Sequence, residues 1–208
     1  MTRVKDEVTV VEKIVVAFDM CSSSNIIEDL TLTNNVKAMR DIIIQTKNFL
    51  RRESKKFRFI RYKFTGDGWI LLFPIDISGT ELMSFLTQLS KRFKTELRNR
   101  VLSVLDEVPS ITGLTFGLDR GRLIKFIIDK KPEYIGRPLN VACRLQSAID
   151  QRDSAPQYKV LMSKHAFKAF SDDLAGYTMW KVTRSLRNIR GGKRFRCIKL
   201  HLPIKRNK

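Results

Sequence analysis

Two aspartates occupy positions in apolar stretches where acidic side chains are unusual. Asp19 ends the segment KIVVAFDM, and Asp67 lies between two glycines in YKFTGDGWILLF. If the two segments are neighbouring strands, the carboxylates meet at one end of a sheet and repel each other unless a cation lies between them. Oxygen ligands of this kind bind hard divalent cations. Separately, each aspartate also fits an ordinary role as a strand-end cap or a turn residue, whereas together they predict a metal site.

Three consecutive serines, Ser22, Ser23 and Ser24, follow the strand that ends with Asp19. Serine is a frequent helix N-cap residue. A helix that begins there directs free backbone N–H groups, and the positive end of its dipole, towards any bound phosphate. The serine run therefore predicts a helix start, and N-capping and phosphate binding both remain open as its role.

A third candidate pair lies in the segment RPLNVACRLQ, which predicts a helix with Pro138 in its first turn. Asn140 and Arg144 are four residues apart and therefore project from one face of that helix. An amide beside a guanidinium can hold a ribose oxygen and a negatively charged phosphorane. The alternative interpretation is a solvated helix face.

The elements around these residues predict the fold class. KIVVAFDM is a buried strand, TGDG is the turn of a hairpin, and Ser78 with Glu81 forms a capping box before a long amphipathic helix. A second hairpin is expected with Gly121 near its turn, and the C-terminal part is expected to add strand, helix, strand and strand. Helices packed on a mostly antiparallel sheet make an α+β protein.

Length and composition indicate one globular domain over residues 1–208, with 43% hydrophobic and 29% charged residues. The longest apolar stretches are too short to cross a bilayer. Three widely spaced cysteines argue against a disulfide framework or a zinc site. A soluble, cytoplasmic protein that does not act at a membrane is expected.

The charge is strongly positive, with 40 Lys and Arg against 21 Asp and Glu. From Leu174 to the end there are eleven basic residues and no acidic one, so the strands and tail of 177–208 form a basic region. Such a balance predicts a polyanionic partner, which could be nucleic acid, anionic lipid or a nucleoside triphosphate. A merely solubilising surface is the alternative. A non-catalytic domain that binds nucleic acid is therefore a competing function.

The segments VVAFDMCSSS, YKFTGDGWILLF and YIGRPLNVACRLQ resemble, in order and separation, the three signature blocks of class III nucleotidyl cyclases. These catalytic blocks occupy 14–24, 62–73 and 133–146, and the resemblance extends from about Ile14 to Leu200. It implies a ferredoxin-like cyclase fold. More narrowly, the chain resembles the stand-alone cyclases of bacterial Pycsar antiphage systems, which make cyclic UMP or cyclic CMP.

The resemblance implies roles for matching positions. Asp19 and Asp67, with the backbone carbonyl of Met20, would hold two Mn²⁺ or Mg²⁺ ions in each active site. Asn140 would orient the ribose, and Arg144 would stabilise charge on the α-phosphate. The remaining implied substrate-binding positions are the base-reading residues Lys63 and Glu133, the phosphate-cradle residues Ser22, Ser23 and Ser24, and Arg187 near the triphosphate.

Family members work as head-to-tail dimers, so the resemblance implies a homodimer with two sites at its interface. One subunit would supply the aspartates and the other the base-reading, ribose and α-phosphate residues. The chain departs from the family at the serine run, where cyclases have glycine, phenylalanine and threonine. Glu133 replaces the aspartate typical of adenylate cyclases.

The implied reaction converts a nucleoside triphosphate into a 3′,5′-cyclic nucleotide and pyrophosphate. The narrower likeness favours a pyrimidine, with UTP first. Lys63 with Glu133 instead favours a base that offers an acceptor and an exocyclic donor, so CTP and ATP remain alternatives. In a Pycsar-like setting, the cyclic nucleotide would activate a separate effector protein.

Overall fold

The computed structural model describes residues 8–149 and 155–204. The first seven residues, residues 150–154, and residues 205–208 of the basic region lie outside the described part. The described strands are β1 (Thr9–Met20), β2 (Ile60–Phe64), β3 (Trp69–Pro74), β4 (Leu114–Ile128), β5 (Lys131–Ile135), β6 (Lys159–Ser163), β7 (Met179–Arg184) and β8 (Phe195–His201).

These strands form one eight-stranded sheet in the order β2-β3-β1-β4-β6-β8-β7, with β5 paired to β4 as a hairpin. The pairing of β4 with β6 is parallel, and the other pairings of the sheet in the described part are antiparallel. The longest ladder joins β1 to β4 and extends from Thr9 opposite Lys125 to Met20 opposite Leu114. These two strands form the centre of the sheet.

The α-helices of the described part are α1 (Ser23–Leu32), α2 (Val36–Lys56), α3 (Gly79–Arg100), α4 (Arg137–Ser147) and α5 (Lys164–Phe170). Buried residues of α1, α2, α3 and α5 join the main core on one face of the sheet. Buried residues of α4 join two smaller clusters on the opposite face. The two faces of the sheet are therefore covered unequally. In the described part, α1, α2, α3 and α5 pack on one face and α4 packs on the other.

Strand alternation explains why Asp19 lies on the α4 side of the sheet. Along β1, Ile14, Val16 and Phe18 are buried in the main core, whereas Val15 and Ala17 belong to the cluster with α4. Successive side chains of a strand point to opposite faces. Asp19 continues the series of Val15 and Ala17 and emerges at the end of the strand.

The predicted α+β class with a mostly antiparallel sheet is confirmed, as is the hairpin at TGDG. The capping box at the start of α3 is also present, because the Ser78 hydroxyl accepts from the Glu81 N–H and the Glu81 carboxylate accepts from the Ser78 N–H. The predicted strand, helix, strand and strand of the C-terminal part correspond to β6, α5, β7 and β8.

The expected turn near Gly121 is wrong. β4 continues through Gly121, which pairs with Lys13, and the hairpin turns later at Asp129 and Lys130. Both turn residues have positive φ, 49° and 63°, which fits a tight two-residue hairpin turn without glycine. Gly121 instead faces α4, since a Cβ there would lie 3.1 Å from the Cγ atom of Pro138.

None of the helices in the described part is long and apolar enough to cross a lipid bilayer.

Candidate active site

The strand ends that carry the two aspartates lie side by side. β1 pairs with β3 in a register that sets Phe18 opposite Trp69, so Asp19 and Gly68 are the next residues beyond the ladder. A Cβ atom at Gly68 would lie 1.9 Å from the carbonyl oxygen of Phe18 and 2.8 Å from Oδ1 of Asp19. Only glycine fits there, because the backbone of the turn lies directly against Asp19.

Asp67 occupies a two-residue hairpin loop next to that contact. The N–H of Thr65 donates to the carbonyl of Gly68 at 3.0 Å, which leaves Gly66 and Asp67 as the loop residues between β2 and β3. Asp67 is half-buried, and so is Asp19. The structure therefore places both carboxylates at the same end of the sheet, on adjacent strands.

The donor set at this end fits a hard divalent cation. Met20 ends β1 with its side chain buried in the main core, so only its backbone carbonyl is available as a ligand. In the part of the chain that the structure describes, no group of three or more His, Cys, Asp or Glu residues could hold a metal ion. Two carboxylates without further protein side chains suit Mg²⁺ bound together with substrate phosphates and water.

The serine run starts a helix as predicted, but the side chain of Ser22 does not cap it. Ser22 is the N-cap of α1 with φ 57°, and its hydroxyl donates to the carbonyl of Ile111 at 2.8 Å. The first intrahelical bond runs from the N–H of Ile26 to the carbonyl of Ser22. The N–H groups of Ser23 and Ser24 precede that bond, so the helix itself does not use them.

Lys63 and Glu133, predicted to read the base, are in contact. The Nζ atom of Lys63 lies 3.3 Å from Oε2 of Glu133. The Tyr62 hydroxyl donates to the same Oε2 at 2.6 Å, and it accepts from the N–H of Tyr134 at 3.1 Å. Lys63 and Tyr62 therefore both contact Oε2 of Glu133.

A β-bulge places Tyr62 in this network. In β2, Arg61 pairs with Leu71 and Lys63 pairs with Ile70, so Tyr62 is the extra residue of the strand. Its ring packs edge-on against the ring of Tyr134, with centroids 5.2 Å apart. The bulge thus directs Tyr62 towards β5, where Glu133 lies.

The network keeps the Lys63–Glu133 pair charged. The hydrogen bond from Tyr62 is the main cause that lowers the pKa of Glu133, and the hydrogen bond with Glu133 is the main cause that raises the pKa of Lys63. Burial, followed by the bond to Glu133, raises the pKa of Tyr62, so this hydroxyl stays protonated and donates.

Asn140 and Arg144 lie on the exposed side of α4. The opposite side of the helix buries Val141, Ala142 and Leu145 against the sheet. Within the described residues, neither the Asn140 amide nor the Arg144 guanidinium makes a hydrogen bond or ion pair. Both side chains are therefore available to a ligand or to a second subunit.

The position of α4 is fixed by close contact with β4 beside Asp19. A Cβ atom at Gly117 would lie 1.9 Å from the carbonyl oxygen of Ala142, so the helix backbone rests on the strand. The buried amide of Gln146 donates to the hydroxyl of Thr115 at 3.0 Å, and Thr115 is the β4 partner of Asp19. Strand and helix thus form one rigid support for two sets of candidate residues.

In the described part, Arg187 makes no hydrogen bond or ion pair with the other candidate residues. It is exposed in the loop between β7 and β8.

The sequence did not reveal the roles of Tyr62 and Gly117 or the Gln146–Thr115 bond. Tyr62 adjoins Lys63 in the second motif, but its partner Glu133 is 71 residues away, so no local signal could reveal the contact.

Sequence comparison finds no protein-family model and no curated protein that matches this chain. Structural comparison does find similar proteins. The adenylyl cyclase CyaB from P. aeruginosa is 18% identical with a TM-score of 0.71, over 96% of this chain and 98% of that one. The guanylyl cyclase Cya2 is 12% identical with a TM-score of 0.65, over 93% and 92% of the two chains.

An adenylate cyclase from Trypanosoma brucei is 14% identical, with a TM-score of 0.64 over 95% of this chain and 91% of that one. Nearly the whole chain therefore has the fold of class III adenylyl and guanylyl cyclase catalytic domains. At these identities the likeness establishes the fold, and the activity has to be argued from the site.

Proposed function

We propose that this protein is a nucleotidyl cyclase that converts UTP into 3′,5′-cyclic UMP and pyrophosphate. The observation that carries the proposal is the contact of the Asp67 turn with Asp19, which puts two carboxylates at adjacent strand ends of a cyclase fold. In the reaction, the ribose 3′-oxygen attacks the α-phosphorus, the bond to the β-phosphate oxygen breaks, and pyrophosphate leaves. Cytidylate or adenylate cyclase activity of the same site is the alternative.

The carboxylates of Asp19 and Asp67, with the carbonyl of Met20, would hold two Mn²⁺ or Mg²⁺ ions. When bound, such ions stabilise negative charge on phosphate oxygens and lower the pKa of a coordinated hydroxyl. The N–H groups of Ser23 and Ser24, at the start of α1 just after β1, would bind phosphate oxygens.

The other candidate residues act on the ribose and the phosphates. The Asn140 amide would orient the ribose so that the 3′-oxygen lies in line with the leaving group. The Arg144 guanidinium would stabilise the charge that grows on the α-phosphate. Arg187, in its exposed loop, would bind the triphosphate. Both α4 residues are exposed and have four-residue spacing on one helix face, which supports a joint role.

The base end of the site supports a uracil ring. Lys63 is a donor, and Glu133 has Oε1 beyond the two contacts that hold Oε2. Uracil presents a carbonyl acceptor beside its ring N–H donor, which matches one ammonium and one carboxylate oxygen. Cytosine and adenine present an acceptor beside an amino group, which the same pair can also bind. The likeness to the Pycsar cyclases favours a pyrimidine, and we propose uracil first with cytosine as the alternative.

We propose a head-to-tail homodimer in which each site combines Asp19 and Asp67 of one subunit with Lys63, Glu133, Asn140 and Arg144 of the other. The exposed, uncontacted side chains of α4 support this arrangement, since a site formed within one chain would engage them. Two sites per dimer follow from the two-fold symmetry.

In cells, the proposed cyclase works in the cytosol, where its triphosphate substrates are found, and Cys21, Cys143 and Cys197 form no disulfide, which suits a reducing compartment. The likeness to Pycsar cyclases supports a role in antiphage defence, with cyclic UMP as the messenger for a separate effector protein.

The activity is tested with purified protein, Mn²⁺ and each of the four nucleoside triphosphates, with products separated by chromatography. We expect cyclic UMP from UTP, and a loss of about 10²- to 10³-fold in kcat for Asp19→Asn and Asp67→Asn. Asp129→Asn, in the other two-residue hairpin turn, is the matched control and should keep full activity.

Full activity of either aspartate variant would refute the metal-site assignment. A cyclic product from another base would replace UTP while leaving the reaction intact. If nucleic acid bound tightly and no triphosphate were cyclised, the competing interpretation as a non-catalytic binder would stand.

The dimer is tested by mixing two inactive variants, Asp67→Asn and Arg144→Ala. At equal amounts, half of the dimers are mixed and each has one intact site, so we expect about a quarter of the native activity. No recovery, in a sample where subunit exchange is demonstrated, would show that each site is formed within one chain.

A further inference from the structure

A concave site lies away from the paired aspartates, between α5 and the last two strands of the sheet, β8 and the edge strand β7. Its volume is about 640 Å³. We name it the α5 groove and define it by the residues that line it: Lys164, Phe167, Lys168, Lys181, Val182, Thr183, Arg196, Cys197 and Ile198. None of these residues belongs to the candidate active site.

Two walls supply the cations of the α5 groove. On α5, Lys164 and Lys168 are four residues apart and share one helix face with Phe167. On the β7–β8 ribbon, Lys181 lies opposite Ile198 and Arg196 lies opposite Thr183. Because paired residues of neighbouring strands share a face, Lys181 and Arg196 lie on the same side of the ribbon. The groove is therefore basic on both walls.

These four cations have no acidic partner in the part of the chain that the structure describes. All four side chains are exposed, and no acidic residue lines the groove. The acids that follow α5 are engaged elsewhere. Asp173 accepts from the N–H of Gly79, and Asp172 accepts from the hydroxyl of Ser171. The positive charge of the groove is thus uncompensated.

The floor of the α5 groove is apolar. Phe167 is half-buried and packs against the main core, and Ile198 is buried in that core, whereas the buried side chain of Cys197 belongs to a cluster on the opposite face of the sheet. A ligand that fits must bring anionic groups to the rim and a flat apolar body to the floor. Nucleotide units of a single strand have this form, with outer phosphates and unpaired bases that stack on aromatic rings.

We propose that the α5 groove binds single-stranded nucleic acid. A duplex hides its base faces and would leave the apolar floor unused. An anionic membrane is bound by apolar side chains that protrude between cations, whereas here they are recessed below the cations. The basic residues from 177 onwards add to the positive electrostatic potential that attracts a polyanion to the groove. This inference is independent of the proposed cyclase activity.

The test uses a fluorescent oligouridylate of about ten nucleotides, titrated with the full-length protein and followed by anisotropy. Chelator is present so that the metal-dependent site does not contribute. Four phosphate contacts predict that log K falls against log salt with a slope of about −3 or steeper. The variant Lys164→Gln/Lys181→Gln removes one cation from each wall and should lose about 25-fold in affinity at about 0.1 M salt.

The matched control is Lys37→Gln/Lys47→Gln, which changes net charge equally at exposed positions of α2. If contacts within the groove dominate the affinity, this control variant should bind the oligouridylate within about twofold of the native protein. Phe167→Leu keeps the floor apolar but removes the aromatic face, and should weaken binding about tenfold. Melting temperatures of all variants, and their cyclase activity, show that the chain remains folded.

Equal weakening by the groove pair and the control pair would overturn the proposal, because binding would then follow net charge alone. It would also be overturned if duplex RNA or phosphatidylserine vesicles bound through the groove lysines while the oligouridylate did not. Because cyclase activity is measured separately, neither result would affect the proposed function.

Discussion

The two ends of the candidate active site are built by different means. At the metal end, backbone contact decides the geometry, since Gly68 has no room for a Cβ atom beside Phe18 and Asp19. At the base end, side chains decide it, because the Tyr62 hydroxyl on β2 bonds both the Glu133 carboxylate and the Tyr134 N–H on β5.

This difference has physical consequences. A backbone contact has no rotamers, so it holds the two strand ends that carry the carboxylates in place but cannot accept an added atom. A hydrogen-bonded side-chain network can lose one group and still fold, with a change in affinity rather than in architecture. We therefore expect the metal end to control the rate and the base end to control which nucleotide binds.

The largest expected effect comes from Gly68→Ala, which would place a methyl group 1.9 Å from the Phe18 carbonyl oxygen. The turn must move away from Asp19, and a displacement of this kind costs about 10²-fold or more in kcat. Steady-state cyclisation with Mn²⁺ measures it. Gly176→Ala is the matched control, because no atom lies within 4 Å of the added Cβ. Native turnover in Gly68→Ala would contradict a site built on this contact.

A smaller effect is expected from Tyr62→Phe, which removes the hydroxyl that bonds Glu133 and the Tyr134 backbone. Without that donor, the pKa of Glu133 rises towards its ordinary value and the carboxylate is free to rotate. We expect the KM for the preferred triphosphate to rise about tenfold, with kcat changed much less. Kinetics with all four triphosphates would also show weaker discrimination.

Tyr177→Phe is the control for this variant, since Tyr177 is half-buried away from Glu133 and packs against the main core. It should leave KM unchanged. A drop in kcat at constant KM for Tyr62→Phe would instead place Tyr62 at the reacting phosphates and end the proposed division between the two ends.

The smallest effect concerns Asp119, a buried carboxylate on β4 that belongs to neither end and accepts a hydrogen bond from the Ser163 hydroxyl. Burial raises the pKa of Asp119 above its ordinary value. The native state therefore favours the protonated form, and this contribution to stability is lost as pH rises through the raised pKa. Asp119→Asn cannot titrate.

Unfolding by urea at about pH 3, below the ordinary pKa of an aspartate, and at about pH 8 measures the Asp119 effect. The free energy of unfolding of Asp119→Asn, relative to the native protein, should be more favourable at the higher pH. A difference of the opposite sign would mean that the folded protein stabilises the Asp119 carboxylate, and that charge on the α4 face is better compensated than its contacts indicate.

Local patterns predicted several elements correctly. The apolar stretch before Asp19, the glycines around Asp67 and the capping box at Ser78 each involve a few consecutive residues, so their effect does not depend on distant packing. For this reason the first strand, the TGDG turn and the start of α3 follow from the sequence, whereas the pairing of β1 with β3 does not. Gly121 misled the same reasoning, because glycine serves close packing against α4 as well as turns.

Tertiary structure decided the rest. That Glu133 contacts Tyr62 depends on a bulge in β2 and on the path of the β4–β5 hairpin. The hydroxyl of Ser22 bonds Ile111, 89 residues away, instead of capping its helix. The uncompensated cations of the α5 groove come together only when α5 packs beside β7 and β8. The sequence by itself determined which residues could do chemistry, whereas strand register and helix packing determined which of them meet, since those contacts join parts of the chain that no local pattern links.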